Sequence, residues 1–347
     1  MNLMTQMKKN IPGVILCLAV AIPAWFLGEA LPVIGSPVFG ILFGMLMVIL
    51  FPKLLKGNHG GIEFGVKYTS KKLLQYSIIL LGFGMNLFQV LKVGGQSLYV
   101  IVFTLSASFL TAFFMGKILK LDGKMTTLIG VGTSICGGSA IAATAPVIKA
   151  KDEDVAHAIS TIFLFNIIAV FIFPAMGAFF GMSDQGFGMW AGTAINDTSS
   201  VVAAGTAWSN AAGNNAALSF ATIVKLTRTL MIVPITLILA AYEAHKAKKY
   251  QDINSEEKFS VANVFPWFVI GFVLTAIINT YFAIPVISDI MVSVGKFMIV
   301  MAMTAIGLNT NLKKLVTNGV KPIFLGVCCW VAVASVSLLI QKLLHIW

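Results

Sequence analysis

Apolar residues run in long blocks along this chain, separated by short stretches that carry lysine, glycine or asparagine. Eleven blocks can be marked, at about 11–30, 33–51, 73–91, 97–118, 125–149, 154–181, 187–208, 215–243, 262–283, 286–309 and 322–344. A membrane crossing takes roughly 20 residues. The pattern therefore predicts an all-α polytopic membrane protein of about 11 transmembrane helices, forming a single transmembrane domain over residues 1–347. The first block follows Lys8 and Lys9. It lacks a convincing small-residue cleavage site, so it is expected to be a retained helix rather than a signal peptide.

Composition sharpens this picture. Of 347 residues, 58% are hydrophobic and 11% charged, against about 25% charged in a soluble domain. Mean hydropathy is +0.92. A soluble fold of this length needs more polar surface. The net charge of +11 would suggest nucleic acid in a soluble chain. Here the lysines fall between apolar blocks, which makes them topology determinants, with no nucleic-acid partner implied. They place the N-terminus in the cytoplasm and the C-terminus outside, in a cell inner (plasma) membrane. Lys149 and Lys151 fit that topology poorly, offset by Asp152, Glu153 and Asp154. The cysteines (17, 136, 328 and 329) all lie in apolar blocks and imply no disulfide framework.

A shift of 225 residues pairs Lys71 with Lys296, Gly82 with Gly307, Asn86 with Asn311, Leu87 with Leu312 and Gly94 with Gly319. This is a weak repeat of 71–118 in 296–344. The third crossing pairs with the tenth, an odd offset, so the copies run in opposite directions, as in inverted-repeat transporters. Asn86 and Asn311 mark symmetric positions near a site, or are simply helix-terminal asparagines.

Three stretches carry chemistry. Gly130–Ala142 holds four glycines and three hydroxyl residues inside an apolar crossing, a composition unsuited to a regular helix. Backbone that unwinds at membrane depth must line a cavity or be buried in protein. A second half-helix starting near Ser139 would offer its positive end to an anion. Close helix packing through small residues is the plainer reading. Asn196, Asp197, Thr198, Ser199 and Ser200 form the second stretch. An ionised, unpaired Asp197 at the bilayer centre costs at least about 2.5–3.5 kcal/mol. It is a natural site for a coupling proton or sodium ion, or else an N-cap of the next helix. The third stretch contains Lys225 and Arg228, the only arginine beside 23 lysines. Arg228 is expected to pair with Asp197 or to bind a bidentate anion. Lys225, three residues earlier and on the same face, is able to snorkel to an interface. In the sixth block, Asn166 reads as an interhelix hydrogen bond. No enzyme constellation, metal set or nucleotide motif is visible, so no cofactor is expected.

Thr133-Ser134-Ile135-Cys136-Gly137-Gly138-Ser139-Ala140-Ile141, followed by Pro146 and Lys149, resembles a motif of the YeiH-like family, whose members carry the label of sulfate exporters. Asn196–Gly205 resembles that family's His-Glu-x-x-Gln-Val-Val-Ala-Ala-Gly segment, Lys225–Arg228 its Lys-x-x-Arg segment, and Ala302–Leu308 its Met-Ala-x-x-Gly-Leu segment. Two positions depart: Asn196 stands where the family has His, which removes a titrating imidazole, and Asp197 where it has Glu. The resemblance implies a fold like that of sodium–proton antiporters and bile-acid symporters, with inverted repeats, crossed broken helices and a core moving against a panel. Homodimers are common among such folds. The resulting expectation is a secondary transporter of a small anion such as sulfate. Ser134, Cys136, Gly137, Gly138, Ser139, Lys225 and Arg228 would bind the substrate, and Asn196, Asp197 and Thr198 would couple it to an ion gradient. Two alternatives are a cation antiporter in which Arg228 only neutralises Asp197, and a receptor that moves no solute. A continuous, lipid-facing helix at 130–142 would favour the receptor.

Overall fold

The computed structural model describes residues 3–31, 36–51, 62–249, 266–282, 285–310 and 319–347. Every regular element among them is helical. The chain runs α1 (Leu3–Ala30), α2 (Ser36–Leu50), α3 (Ile62–Tyr68), a π-helical turn (Thr69–Leu73), α4 (Leu74–Leu81), a 3₁₀ turn (Gly82–Gly84) and α5 (Leu87–Ile118). It continues through α6 (Gly123–Ser134), α7 (Gly138–Val147), α8 (Asp152–Phe179), α9 (Asp184–Ala194), α10 (Thr198–Ala212), α11 (Ala216–Leu230) and α12 (Ile232–Lys249). The last three are α13 (Trp267–Phe282), α14 (Pro285–Asn309) and α15 (Val320–Leu343). Six described stretches are long and apolar enough to cross a membrane, and α2, α7 and α13 are shorter apolar helices. The all-α polytopic expectation holds.

The expected boundaries shift furthest at the third crossing. The third crossing was read at 73–91, but the helical run begins at Ile62 and ends at Gly84. Asn86 then caps α5, its side chain accepting the Phe88 N–H at 2.9 Å. From Leu87 a single 32-residue helix carries through Lys92, Gly94 and Gly95, which read as a loop in sequence. Glycine costs a helix only about 1 kcal/mol, which a long apolar helix absorbs. Asn311 lies outside the described residues, as do Lys53, Lys56, Lys313 and Lys314.

The helices sort into two groups. The first holds α1–α4, α13 and α14, and the second α5–α12 and α15. In the first group small residues let backbones approach closely. A β-carbon added at Gly44 would stand 2.4 Å from the Thr304 carbonyl oxygen, and one at Gly13 2.2 Å from that of Ile62. In the second group aromatic pairs fill the space between helices. Phe173 stacks on Trp190, and Phe187 on Trp208, each with centroids 4.2 Å apart. The groups meet where α10 lies against α2 and α14, and where α13 lies against α5. Polar contacts across that boundary include Lys296 Nζ of α14 donating to Asn215 Oδ1, just before α11, at 2.6 Å, and the Leu87 N–H of α5 donating to Thr280 Oγ1 of α13 at 2.8 Å.

Candidate functional site

Two crossings of the second group are interrupted, and their interruptions meet. In the first, α6 stops at Ser134 and α7 starts at Gly138. Residue 137 takes φ +70° and ψ −130°, a backbone conformation that favours glycine. In the second, α9 stops at Ala194 and the chain runs extended through Ile195 to Asp197, which opens α10. The two gaps are neighbours: a β-carbon at Gly137 would lie 3.6 Å from Asp197 Cβ and 3.6 Å from Asn166 Nδ2. Asn166 of α8 also accepts the Asp197 N–H at 3.1 Å. Its amide therefore sits against both interruptions, beyond the simple interhelix bond read from sequence.

A helix that stops inside protein leaves its last carbonyls without partners and concentrates partial negative charge there. Two such ends, from α6 and α9, converge at this point, and α11 answers them with Lys225 and Arg228. Lys225 Nζ donates to the carbonyls of Ile135 (2.8 Å), Ile195 (3.0 Å) and Asn196. Arg228 donates through Nε to Ser134 O (2.6 Å), through Nη1 to Ile195 O (3.2 Å) and through Nη2 to Thr133 O. Both side chains are 0% exposed. The spacing of three residues puts both on one helix face, which is how one helix reaches both ends.

This corrects two expectations. Lys225 does not snorkel. Arg228 does not pair with Asp197, since no ion pair joins them among the described residues. Orphaned helix-end carbonyls are nearer and fixed, and they take the guanidinium's donors. Asp197 instead caps its own helix, its carboxylate accepting the Ser199 N–H at 3.1 Å and the Ser199 hydroxyl. The N-cap reading of the sequence is therefore what the structure shows.

The remaining predicted residues divide by access. Ser134 is buried and its hydroxyl turns back to Val131 O at 3.1 Å. Cys136 is buried, Gly138 is half-buried, and Ser139 is exposed. No side chain caps the start of α7. Asp197 is half-buried and Thr198 buried. Asn196 is 1% exposed, and neither its Nδ2 nor its Oδ1 has a hydrogen-bond partner. Buried amides are normally paired, and this one is an exception at the crossing. Asn86 is exposed and lies eight residues, about 12 Å along α5, from Gly94, which faces Thr227. The structure does not bring it to the crossing. A buried chain the sequence reading missed runs from Thr193 Oγ1 to Ser337 Oγ (2.6 Å) to Gln341 Nε2 (3.2 Å). The i, i+4 polar pair on α15 was its only signal.

Together the fold and the site define a polytopic helical membrane protein in which two interrupted crossings meet over buried cations. A family model described as Conserved hypothetical protein 698 matches residues 12–326. The chain belongs to that family, the YeiH/UPF0324 group that its motifs resemble. A UPF0324 membrane protein of Streptococcus pyogenes is 51% identical over 99% of this chain and all of its own length. Another, from Streptococcus agalactiae, is 50% identical over 98% of this chain and 99% of its own. One from Fusobacterium nucleatum is 47% identical over 98% and 100%. No solved structure matches the chain.

Proposed function

We propose that this protein is a secondary active transporter of a small anion, with sulfate or a related sulfur oxyanion or sulfonate as the substrate class. The observation that carries the reading is the charge at the crossing. Lys225 and Arg228 stand there, both fully buried, against the single carboxylate of Asp197. In the low dielectric of a buried site, a positive group pulls more strongly on a nearby anion than it would in water. The uncapped start of α7 adds backbone N–H groups beside Gly138 and Ser139, where the surface is accessible. In this reading the two cations set the potential and hold the helix ends, while Gly138, Ser139 and the Asn196 amide contact the solute. Asp197 couples transport to an ion gradient. The interrupted helix at 135–137 supports transport over a receptor role, because broken crossings position solute sites in transporters. We place the chain in the cytoplasmic membrane, N-terminus inside, on the lysine distribution, with a homodimer as its assembly.

A second reading is sodium–proton exchange. It is favoured by the complete engagement of both cations with backbone carbonyls, which leaves them structural. Flux into proteoliposomes separates the two. Labelled sulfate should enter wild-type vesicles faster than empty liposomes, with sulfite and small sulfonates competing. Asp197→Asn should keep downhill exchange and lose gradient-driven accumulation. Sodium movement with no anion requirement would replace the first reading by the second.

A further inference from the structure

An interrupted apolar segment either resumes toward the far face of the bilayer or turns back to the face it came from, and contacts between its ends tell which. In the first such segment, α6 and α7 have 12 and 10 residues. Laid end to end they would hold their outer ends about 30 Å apart. Instead Lys124 Nζ, in the first turn of α6, donates to the Lys149 carbonyl, just past α7, at 2.7 Å. The arms also touch near the turn, where a β-carbon at Gly132 would lie 2.8 Å from Ile141 Cδ1. In the second segment, α9 and α10 have 11 and 15 residues, about 40 Å end to end. Yet Asp184, which opens α9, accepts from Trp208 Nε1 of α10 at 2.7 Å and from Asn214 Nδ2, just beyond it, at 2.9 Å. Both segments close on themselves. Arms this short suit re-entrant segments, and turns at membrane depth must be enclosed in protein. Residues 135–137 and 195–196 are buried and Asp197 is half-buried.

The flanking charges give the faces. Lys149 and Lys151 are brought to the side of Lys117, Lys120 and Lys124, so the one loop that fitted the lysine rule poorly now obeys it. Next, α8 is long and apolar enough to span, and it carries the chain to the opposite face, where α9 begins. There a β-carbon at Gly186 would stand 2.7 Å from Trp347 Cβ. The mouth of the second hairpin thus lies beside the C-terminus, which the lysine pattern places outside. The two hairpins are not equally covered. Every residue of α9 from Gly186 to Ala194 is buried. On α7, Ser139, Ala142 and Pro146 are exposed in one line that runs from the turn to exposed Lys149. That line is made of small side chains. The exposed face of α5 carries Phe103, Leu110 and Phe114 instead, the large apolar groups that suit lipid.

We infer that α6–α7 and α9–α10 are re-entrant hairpins, entering from the cytoplasm and from outside, and that their meeting point is open to the cytoplasm along α7 in this structure. The inference concerns how the site is reached, and it holds whatever the solute is.

Sidedness of introduced cysteines tests it, with no transport or binding in the readout. Gly123→Cys, Lys151→Cys, Gln185→Cys and Ala212→Cys put thiols at exposed positions by the hairpin ends, and Ser139→Cys puts one beside the inner turn. Of the chain's own cysteines, Cys17, Cys136 and Cys329 are buried and Cys328 is half-buried, and wild type serves as the blank. A membrane-impermeant maleimide is applied to intact cells and to inverted membrane vesicles, each scored against the same variant in detergent. Gln185→Cys and Ala212→Cys should label in intact cells, and Gly123→Cys and Lys151→Cys in inverted vesicles. Ser139→Cys should label in inverted vesicles, because a thiol reacts as thiolate, where water reaches it. Spanning segments would split each pair, with position 151 labelling in cells and position 185 in inverted vesicles, and that result overturns the hairpins. Pairs that stay together but label from the reverse faces overturn the assignment of faces. If Ser139→Cys reacts in detergent but not in inverted vesicles, the cytoplasmic opening falls and the hairpins stand.

Discussion

Arg228 makes three of the six hydrogen bonds that tie the ends of α6 and α9 to α11. Arg228→Ala leaves the Thr133 and Ser134 carbonyls without that donor, while Ile195 keeps Lys225. At about 1–3 kcal/mol for each buried group left unpaired, the loss is roughly 2–6 kcal/mol of stability. Arg228→Lys keeps the charge but not the fork of donors, so it should lose less. Thermal unfolding in detergent should rank wild type above Lys above Ala. Equal stability of all three would show that the guanidinium does not pin the helix ends. A lone arginine in an apolar helix is visible in sequence, and so is its cost. Its partners are not, because backbone carbonyls have no residue code. Pairing by side-chain charge pointed to Asp197 instead. The same blindness applies to Asn196, whose isolation is a fact about its surroundings and not about its type.

At the scale of elements, the glycine- and hydroxyl-rich run at 130–142 foretold an interruption, and the structure confines it to residues 135–137. Only one of its adjacent glycines is indispensable. At Gly137 the backbone sits at φ +70° and ψ −130°, while the space beside it allows ordinary contact with Ile162, Asn166 and Asp197. Gly137→Ala should therefore cost about 1–3 kcal/mol through backbone strain, not through collision. Gly138 begins α7, and a β-carbon there meets nothing nearer than Ile159 at 4.0 Å. Gly138→Ala should be neutral in stability to within about 0.5 kcal/mol. Denaturation of the two single variants checks the pair, and a costlier change at 138 would misplace the turn. The second interruption was harder to foresee. Asn196–Ser200 is polar but has no glycine, and its chain break is an extended segment closed by an ordinary aspartate cap, the signature of any helix start. The 73–91 crossing failed for the opposite reason: Asn86, read inside a crossing, is the cap at which a new helix begins, and the glycines at 94 and 95, which look like loop residues, lie inside that helix.

The whole molecule is two helix groups with a short boundary between α10, α2 and α14, and between α13 and α5. Sequence periodicity marks helices but says nothing of which pack together, so the membership of the two groups was not legible in the sequence. Alternating access by relative motion of the groups would have to open contacts along that boundary. The Lys296–Asn215 hydrogen bond crosses it at 2.6 Å, linking α14 to the start of α11. Lys296 is half-buried, so water screens the bond only in part, and about 1 kcal/mol is a fair share for a contact of this kind. If the bond must break before the groups move, its loss lowers the barrier by that amount, roughly a fivefold change in rate. Lys296→Met and Asn215→Ala should each raise sulfate exchange in proteoliposomes several-fold. The double variant should be no faster than either single one, because both remove the same bond and the effects of partners in contact do not add. The prediction is thus a statement about coupling as well as speed. Additive single effects would mean the residues act separately, and unchanged exchange in all three would mean that the two groups do not part at this contact during transport.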